Sequence, residues 1–307
     1  MHNARLCRIN NHHLEPKMDK PLTYSFSFDQ TNDAMRQFIL EEFAANGARH
    51  MVFTGYHLGA TMSMPHLADV FSKELASVGL SFVDSHSIYG PYADLFQPVE
   101  PYRSRMLSMH EYSLKIAASL GIKTMVFHVG DRYEHTEMFS LDTLHSKLLE
   151  SLERLLPVAE QNGIAMAIEN TYYPSNSCGR LLDAVRHFDS PWLGICYDVG
   201  HANVLRSENR CKENPVLKYA FENVDEEPWE DSFLEKVLPY VICVHIHDND
   251  GTRDAHLMPG DGTVDWNHIV PLLKQAPRLN SYQSEVINLR EHVSIARVCR
   301  EFPALFR

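Results

Sequence analysis

The chain has 307 residues, 44% of them hydrophobic, and a net charge of −12 at pH 7. That is enough apolar material for one large barrel-type domain or two ordinary ones, and the acidic balance disfavours nucleic-acid phosphates and anionic membranes as partners. Six cysteines, at 7, 178, 196, 211, 243 and 299, form no Cys-x-x-Cys pair, and no run approaches the roughly 20 apolar residues of a membrane span. Buried thiols in a cytoplasmic protein with no signal peptide are therefore expected.

Residues 1–20 are polar and aperiodic, with His2, His12 and His13 among them, and read as a mobile extension preceding a single domain over 21–307. From residue 21 the chain alternates. Gly47, Gly79, Gly121 and Gly163, spaced by 32, 42 and 42 residues, each follow an amphipathic stretch and precede an apolar run, as a left-handed residue closing a helix does. Leu141, Leu144, Leu148, Leu152, Leu155 and Ala159 mark one face of a helix, and Met109, Tyr112, Ile116 and Leu120 mark another. Between such helices lie eight strand-like runs, at 22–28, 50–56, 80–86, 123–129, 164–170, 192–198, 241–247 and 279–286. Pro191, Pro239 and Pro277 punctuate the later ones. Eight strands alternating with helices predict a closed (β/α)₈ TIM barrel of the α/β class. The competing open sheet would want a glycine-rich phosphate loop after its first strand, and FDQTND has none.

In such a barrel the active site lies at the C-terminal ends of the strands. Six successive runs end on a candidate metal ligand: His86, His128, Glu169, Asp198, His245 and Glu285, with His201, Asp254 and His256 in the loops. Neutral imidazoles and carboxylates at this density suit a divalent cation. Each has a bland counterpart: His128 as a satisfied core histidine, and Asp198 with His201 as the cap of the following helix. Glu169 and Glu285 are harder to set aside, because a carboxylate closing an apolar strand is costly unless paired or bound to metal. His247 shares the parity of His245 and is expected to face the interior, touching substrate or bonding to a ligand. Asp265 reads as a helix cap with Trp266 packing behind it, and the acidic run 222–231 reads as a solvated rim.

The segments SHSIYGPY, VFHVG, AIENT, CYDVGHAN, HIHDNDGTRDAHLMPGDGTVDW and SEV resemble the xylose-isomerase-like TIM-barrel superfamily over residues 22–305. That group includes sugar and sugar-phosphate isomerases and epimerases as well as apurinic-site endonucleases. The resemblance implies that Glu169, Asp198, His245 and Glu285 bind one divalent metal, Mn or Zn. It further implies that His86, His128, His201, Asp254 and His256 complete a cluster of up to three ions. Glu169 and Glu285 would be the catalytic acid and base of an isomerase or epimerase working through a metal-stabilised enediolate, with His201, His247 and Arg253 on the substrate. Arg253 departs from the family spacing of the orienting arginine. The same resemblance keeps open a lyase, dehydratase, keto-sugar hydrolase or endonuclease-like phosphodiesterase, for which Tyr89 stands at a DNA-contacting position. A non-catalytic sugar-binding barrel is a further alternative. The expected partner is a small-molecule sugar, with no nucleic acid and no membrane, and homo-oligomerisation is left open.

Overall fold

The computed structural model describes residues 20–90, 92–130, 138–208, 218, 221, 224 and 229–307. The expected extension before Lys20, with Cys7, lies outside them, as do Cys211 and most of the 222–231 run. The strands are β1 (Leu22–Tyr24), β2 (His50–Phe53), β3 (Ser81–His86), β4 (Thr124–His128), β5 (Ala165–Glu169), β6 (Leu193–Asp198), β7 (Val241–Ile246) and β8 (Ser281–Ser284). All pair in parallel and close in chain order, β1 joining β8 through Leu22↔Tyr282 and Tyr24↔Ser284. The molecule is the expected single-domain (β/α)₈ barrel.

The strands stop where local chemistry intervenes. β2 ends before Thr54 because the Thr54 N–H donates to Nδ1 of His57, opening the helix Gly55–Ser63. β6 ends on Asp198, whose Oδ1 accepts from the N–H of His201 at 2.7 Å to start the helix Val199–Val204. After β1 the ladder breaks off, and Phe26 and Phe28 turn into the core with ring centroids 5.0 Å apart. The glycines at 47, 79, 121 and 163 all have positive φ, as their place behind each helix predicted.

The helix Leu141–Asn162 buries the expected leucine face. In the helix Tyr102–Ser119, Ile116 is buried as expected and Met109 is half-buried, but Tyr112 is exposed, and the buried face also runs through Met106, His110, Leu114 and Ala117. Three polar residues, Arg103, His110 and Ser113, share the inward face with partners of their own. His110 donates from Nε2 to the Ala93 carbonyl at 2.6 Å and shares a hydrogen bond with Ser87 Oγ at 3.0 Å. Val126, Ala167, Cys196 and Cys243 form a separate buried cluster. The two-residue period of a strand puts them on the face that carries His128, Glu169, Asp198 and His245, one layer deeper in the barrel.

Candidate metal centre

The strand ends deliver what their sequences promised. β3 through β6 terminate on His86, His128, Glu169 and Asp198; His245 is the penultimate residue of β7, and Glu285 follows β8 directly. His86, His128, Glu169 and Glu285 line a cavity of about 580 Å³, whose outer wall includes Phe26, Tyr56, Tyr89, Tyr172 and Tyr173, while Asp198 and His245 are fully buried beside them.

Three donor groupings can be distinguished. In the first, Nδ1 of His245 lies 3.3 Å from Glu169 Oε1, 3.3 Å from Glu285 Oε2 and 3.5 Å from Asp198 Oδ2. In the second, Nε2 of His201 and Nε2 of His256 lie 3.3 and 3.0 Å from Asp254 Oδ2, with His247 close by. In the third, Nε2 of His86 and Nε2 of His128 each lie 3.3 Å from Glu169 Oε2. Ligand bonds of about 2.0–2.2 Å set neighbouring donor atoms about 3–3.6 Å apart around one ion, which is the spacing found.

The imidazoles are aimed by their second nitrogens. Nδ1 of His86 donates to the Ser87 carbonyl at 2.8 Å, Nδ1 of His201 to Asn170 at 2.8 Å, and Nδ1 of His256 to Glu285 at 2.7 Å. Each bond orients its ring so that Nε2 faces the cluster. His256 adopts φ 52°, a left-handed backbone rare outside glycine, so the loop holds a strained conformation to place this ring.

The electrostatics ask for positive charge. Burial by itself would raise the carboxyls and lower the imidazoles, yet their mutual attraction overrides it. Glu169 and Asp254 are held well below the usual carboxylate range, as is Asp198, while His201 and His245 are held well above theirs and His256 rises to about 9. Both ring nitrogens of His245, Nδ1 of His247 and Oδ1 of Asp254 are buried without a hydrogen-bond partner. The ion-pair separations at His245 are short enough for charge attraction but not aligned as hydrogen bonds, the arrangement of atoms that share an ion rather than bond to one another. By donor type, spacing and these orphaned atoms, the residues fit a divalent cation.

All nine candidate ligands thus converge, and Asp198 both caps its helix and joins the cluster. Two residues expected on the substrate lie off the described cavity wall. Arg253 is exposed and forms no part of the described cavity wall, since the loop fold points it toward solvent beside Asp250. His247 is fully buried and also absent from that wall, because its Nε2 is drawn to the Asp198 carboxylate at 3.0 and 3.1 Å. His201 does line the cavity, as does Tyr89. Asp265 caps the helix Trp266–Leu273 as expected, and Trp266 donates from Nε1 to Asp248.

Several supporting residues escaped the sequence reading. Asn170 clamps β6 to β5, accepting from the Asp198 N–H at 2.8 Å and donating to the Asp198 carbonyl at 2.9 Å. Asn176 donates to the Glu169 carbonyl at 2.8 Å. Gln283, buried in β8, donates to Glu285 Oε1 at 2.8 Å and so leaves Oε2 to face His245. Asp248 gathers the loop that carries Asp254 and His256, accepting from the N–H groups of Gly260 and Val264. The parity of Gln283 with Glu285 was the only local signal among these.

Comparison with known proteins agrees with this geometry. An uncharacterized protein of Methanocaldococcus jannaschii is 26% identical over 224 residues, 70% of this chain and 69% of its own length. One of Sinorhizobium fredii is 28% identical over 184 residues, covering 54% and 51%. Among solved structures, a D-tagatose 3-epimerase-like protein superposes with TM-score 0.68 at 19% identity, covering 93% of this chain and 98% of that one. 3-Keto-D-glucoside 4-epimerase from E. coli gives 0.65 at 19%, covering 94% and 99%, and the IOLI protein with a bound zinc atom gives 0.68 at 13%, covering 93% and 98%. At these identities the structures speak for the fold. The family model described as Xylose isomerase-like TIM barrel matches residues 40–279, and this chain belongs to that family.

Proposed function

We propose that the protein is a divalent-metal-dependent sugar isomerase or epimerase. The observation that carries this reading is the convergence of Glu169, Asp198 and Glu285 on Nδ1 of His245 within 3.5 Å, with Glu169 and Glu285 lining a sugar-sized cavity. These four residues would hold the principal ion. When bound, Mn²⁺ or Zn²⁺ supplies Lewis-acid polarisation of a sugar carbonyl and its neighbouring hydroxyl.

The proton work falls to the protein. Glu169 and Glu285 reach the same point from different strands, so one takes a proton from the substrate carbon and the other returns one. Glu169 is buried and held ionised by the surrounding imidazoles, the form in which it can accept a proton. Gln283 holds one oxygen of Glu285 and so fixes which oxygen meets substrate. The aromatic rim offers sugar-stacking surface. Among the described residues the wall contains Asp29, Glu169, Asp254 and Glu285.

The second and third donor groupings favour one alternative, a hydrolase or lyase of the same family that uses more than one ion. Turnover of ketoses and keto-glycosides in D₂O separates the two. Metal-dependent isomerisation with deuterium entering at the carbon beside the carbonyl is the expected result. Bond cleavage without such exchange would move the assignment to the alternative.

A further inference from the structure

His201 belongs to the helix Val199–Val204, whereas Asp254 and His256 belong to the loop that follows β7, yet Asp254 Oδ2 lies within 3.3 Å of Nε2 of both rings. Side chains from segments 53 positions apart keep such a spacing only if something ties helix to loop. The tie is a pair of buried amides, Asn203 on the helix and Asn249 at the root of the loop.

Backbone groups dictate which way each amide points. The Gly251 N–H can only donate and reaches Asn249 Oδ1 at 2.9 Å, so Nδ2 of Asn249 is the atom that meets the Gly200 carbonyl, at 2.8 Å. Asn203 must then present its own Nδ2 to that Oδ1, at 2.9 Å, and the same nitrogen lies 3.0 Å from Thr263 Oγ1. One amide therefore reaches from helix to loop while the other reaches back.

The loop behind this clasp is closed on itself. Asp248 and Leu257 exchange both backbone hydrogen bonds, at 2.9 and 2.8 Å. The Asp248 carboxylate accepts from the N–H groups of Asn249, Gly260 and Val264 and from Nε1 of Trp266, at 2.8–3.1 Å. A Cβ on Gly262 would lie 2.2 Å from Asp248 Oδ1 and 2.3 Å from the Asn249 carbonyl oxygen, so only glycine lets the chain return this closely. A segment bound together in this way moves as a unit, and Asp254 and His256 move with it.

Resting on the metal reading above, we propose that Asn203 and Asn249 are positioning residues for an ion held by His201, Asp254 and His256. Their clasp sets the distance from the helix to the loop, and the closed loop carries that setting to its two ligands. The grouping around His245 does not depend on the clasp, because its ligands sit on the strands or directly after them.

Binding of Zn²⁺ alone to the full chain tests this, by elemental analysis and by competition with a chelator. Wild type is expected to hold ions in two classes, one of which His256→Ala weakens. Asn203→Ala should weaken that same class about 10–100-fold and spare the other. Added to an Asn249→Ala chain it should cost little more, since the two side chains act through one shared bond. Thr263→Val, which takes one partner from Asn203 at an exposed position, should give a smaller loss in the same class and keeps the test open where Asn203→Ala folds poorly. Leu148→Ala, a core truncation in the helix Leu141–Asn162, should lower the melting temperature and leave both classes alone, as a purely structural weakening does. Equal losses in both classes, no loss at all, or a selective loss in Leu148→Ala overturns the proposal. A wild type that holds a single class, untouched by Asn203→Ala, also overturns it while leaving the isomerase reading in place; a wild type that binds no ion defeats both.

Discussion

Replacing Asn170 by Ala tests how the fold holds the metal-binding strand ends together. Asn170 is fully buried, and its side chain bonds the N–H and the carbonyl of Asp198, itself fully buried. Truncation leaves the Asp198 N–H without its acceptor, at about 1–3 kcal/mol, and removes one further net bond worth about 1 kcal/mol, so a loss of about 3 kcal/mol is expected. With an unfolding entropy of about 2.1 cal/mol/K per residue, a chain of 307 residues has about 0.64 kcal/mol/K. The melting temperature should therefore fall by about 5 °C. The melt is run in excess chelator, because any ion bound to the native state would stabilise it by mass action and mask the comparison. A fall of less than about 1 °C would refute the claim that this side chain clamps β5 to β6.

Two further predictions address the chemistry and the pH response. Glu169→Gln keeps the shape of the side chain and removes its basicity, so turnover should drop by about 10²–10⁴ with the far-ultraviolet circular dichroism unchanged; wild-type rates would remove Glu169 from the mechanism. His110 is pushed down to about 4, by burial against the smaller opposing effect of its bond to Ala93. Its folded value lies below the unfolded value of about 6.5, so the unfolded chain binds the extra proton, and the stability is present above pH 6.5 and lost as pH falls toward 4. From pH 7 to 5 this one group should cost wild type about 2 kcal/mol that His110→Gln does not lose. Denaturant titrations of both proteins at the two pH values measure the difference, and equal losses would contradict a neutral His110.

Much of this was legible because a strand has a period of two and a barrel puts its chemistry at one end. VICVHIH named the parity of His245 and His247, and the runs ending at His86, His128, Glu169 and Asp198 located the rim. Parity tells which face a residue takes, but not how deep it lies. His247 and His245 share a face, yet one is drawn behind Asp198 by a bond between residues 49 positions apart. The clamps at Asn170, Asn176 and Gln283 stayed hidden because an amide reads as an ordinary polar residue until its partner on another strand is known. The full buried face of the helix Tyr102–Ser119 was hidden for the related reason that His110 and Ser113 look like surface residues, whereas long-range or backbone bonds let them face inward. Arg253, near His245 in sequence, is exposed and lies off the described cavity wall.

The account depends most on an ion being held jointly by residues that β5, β6, β7 and β8 bring together. Anomalous diffraction from crystals loaded with Mn²⁺ is the most direct measurement. The account predicts a peak with Glu169, Asp198, His245 and Glu285 all at about 2.0–2.4 Å. No peak at full loading, or one bound only by surface carboxylates, would contradict it.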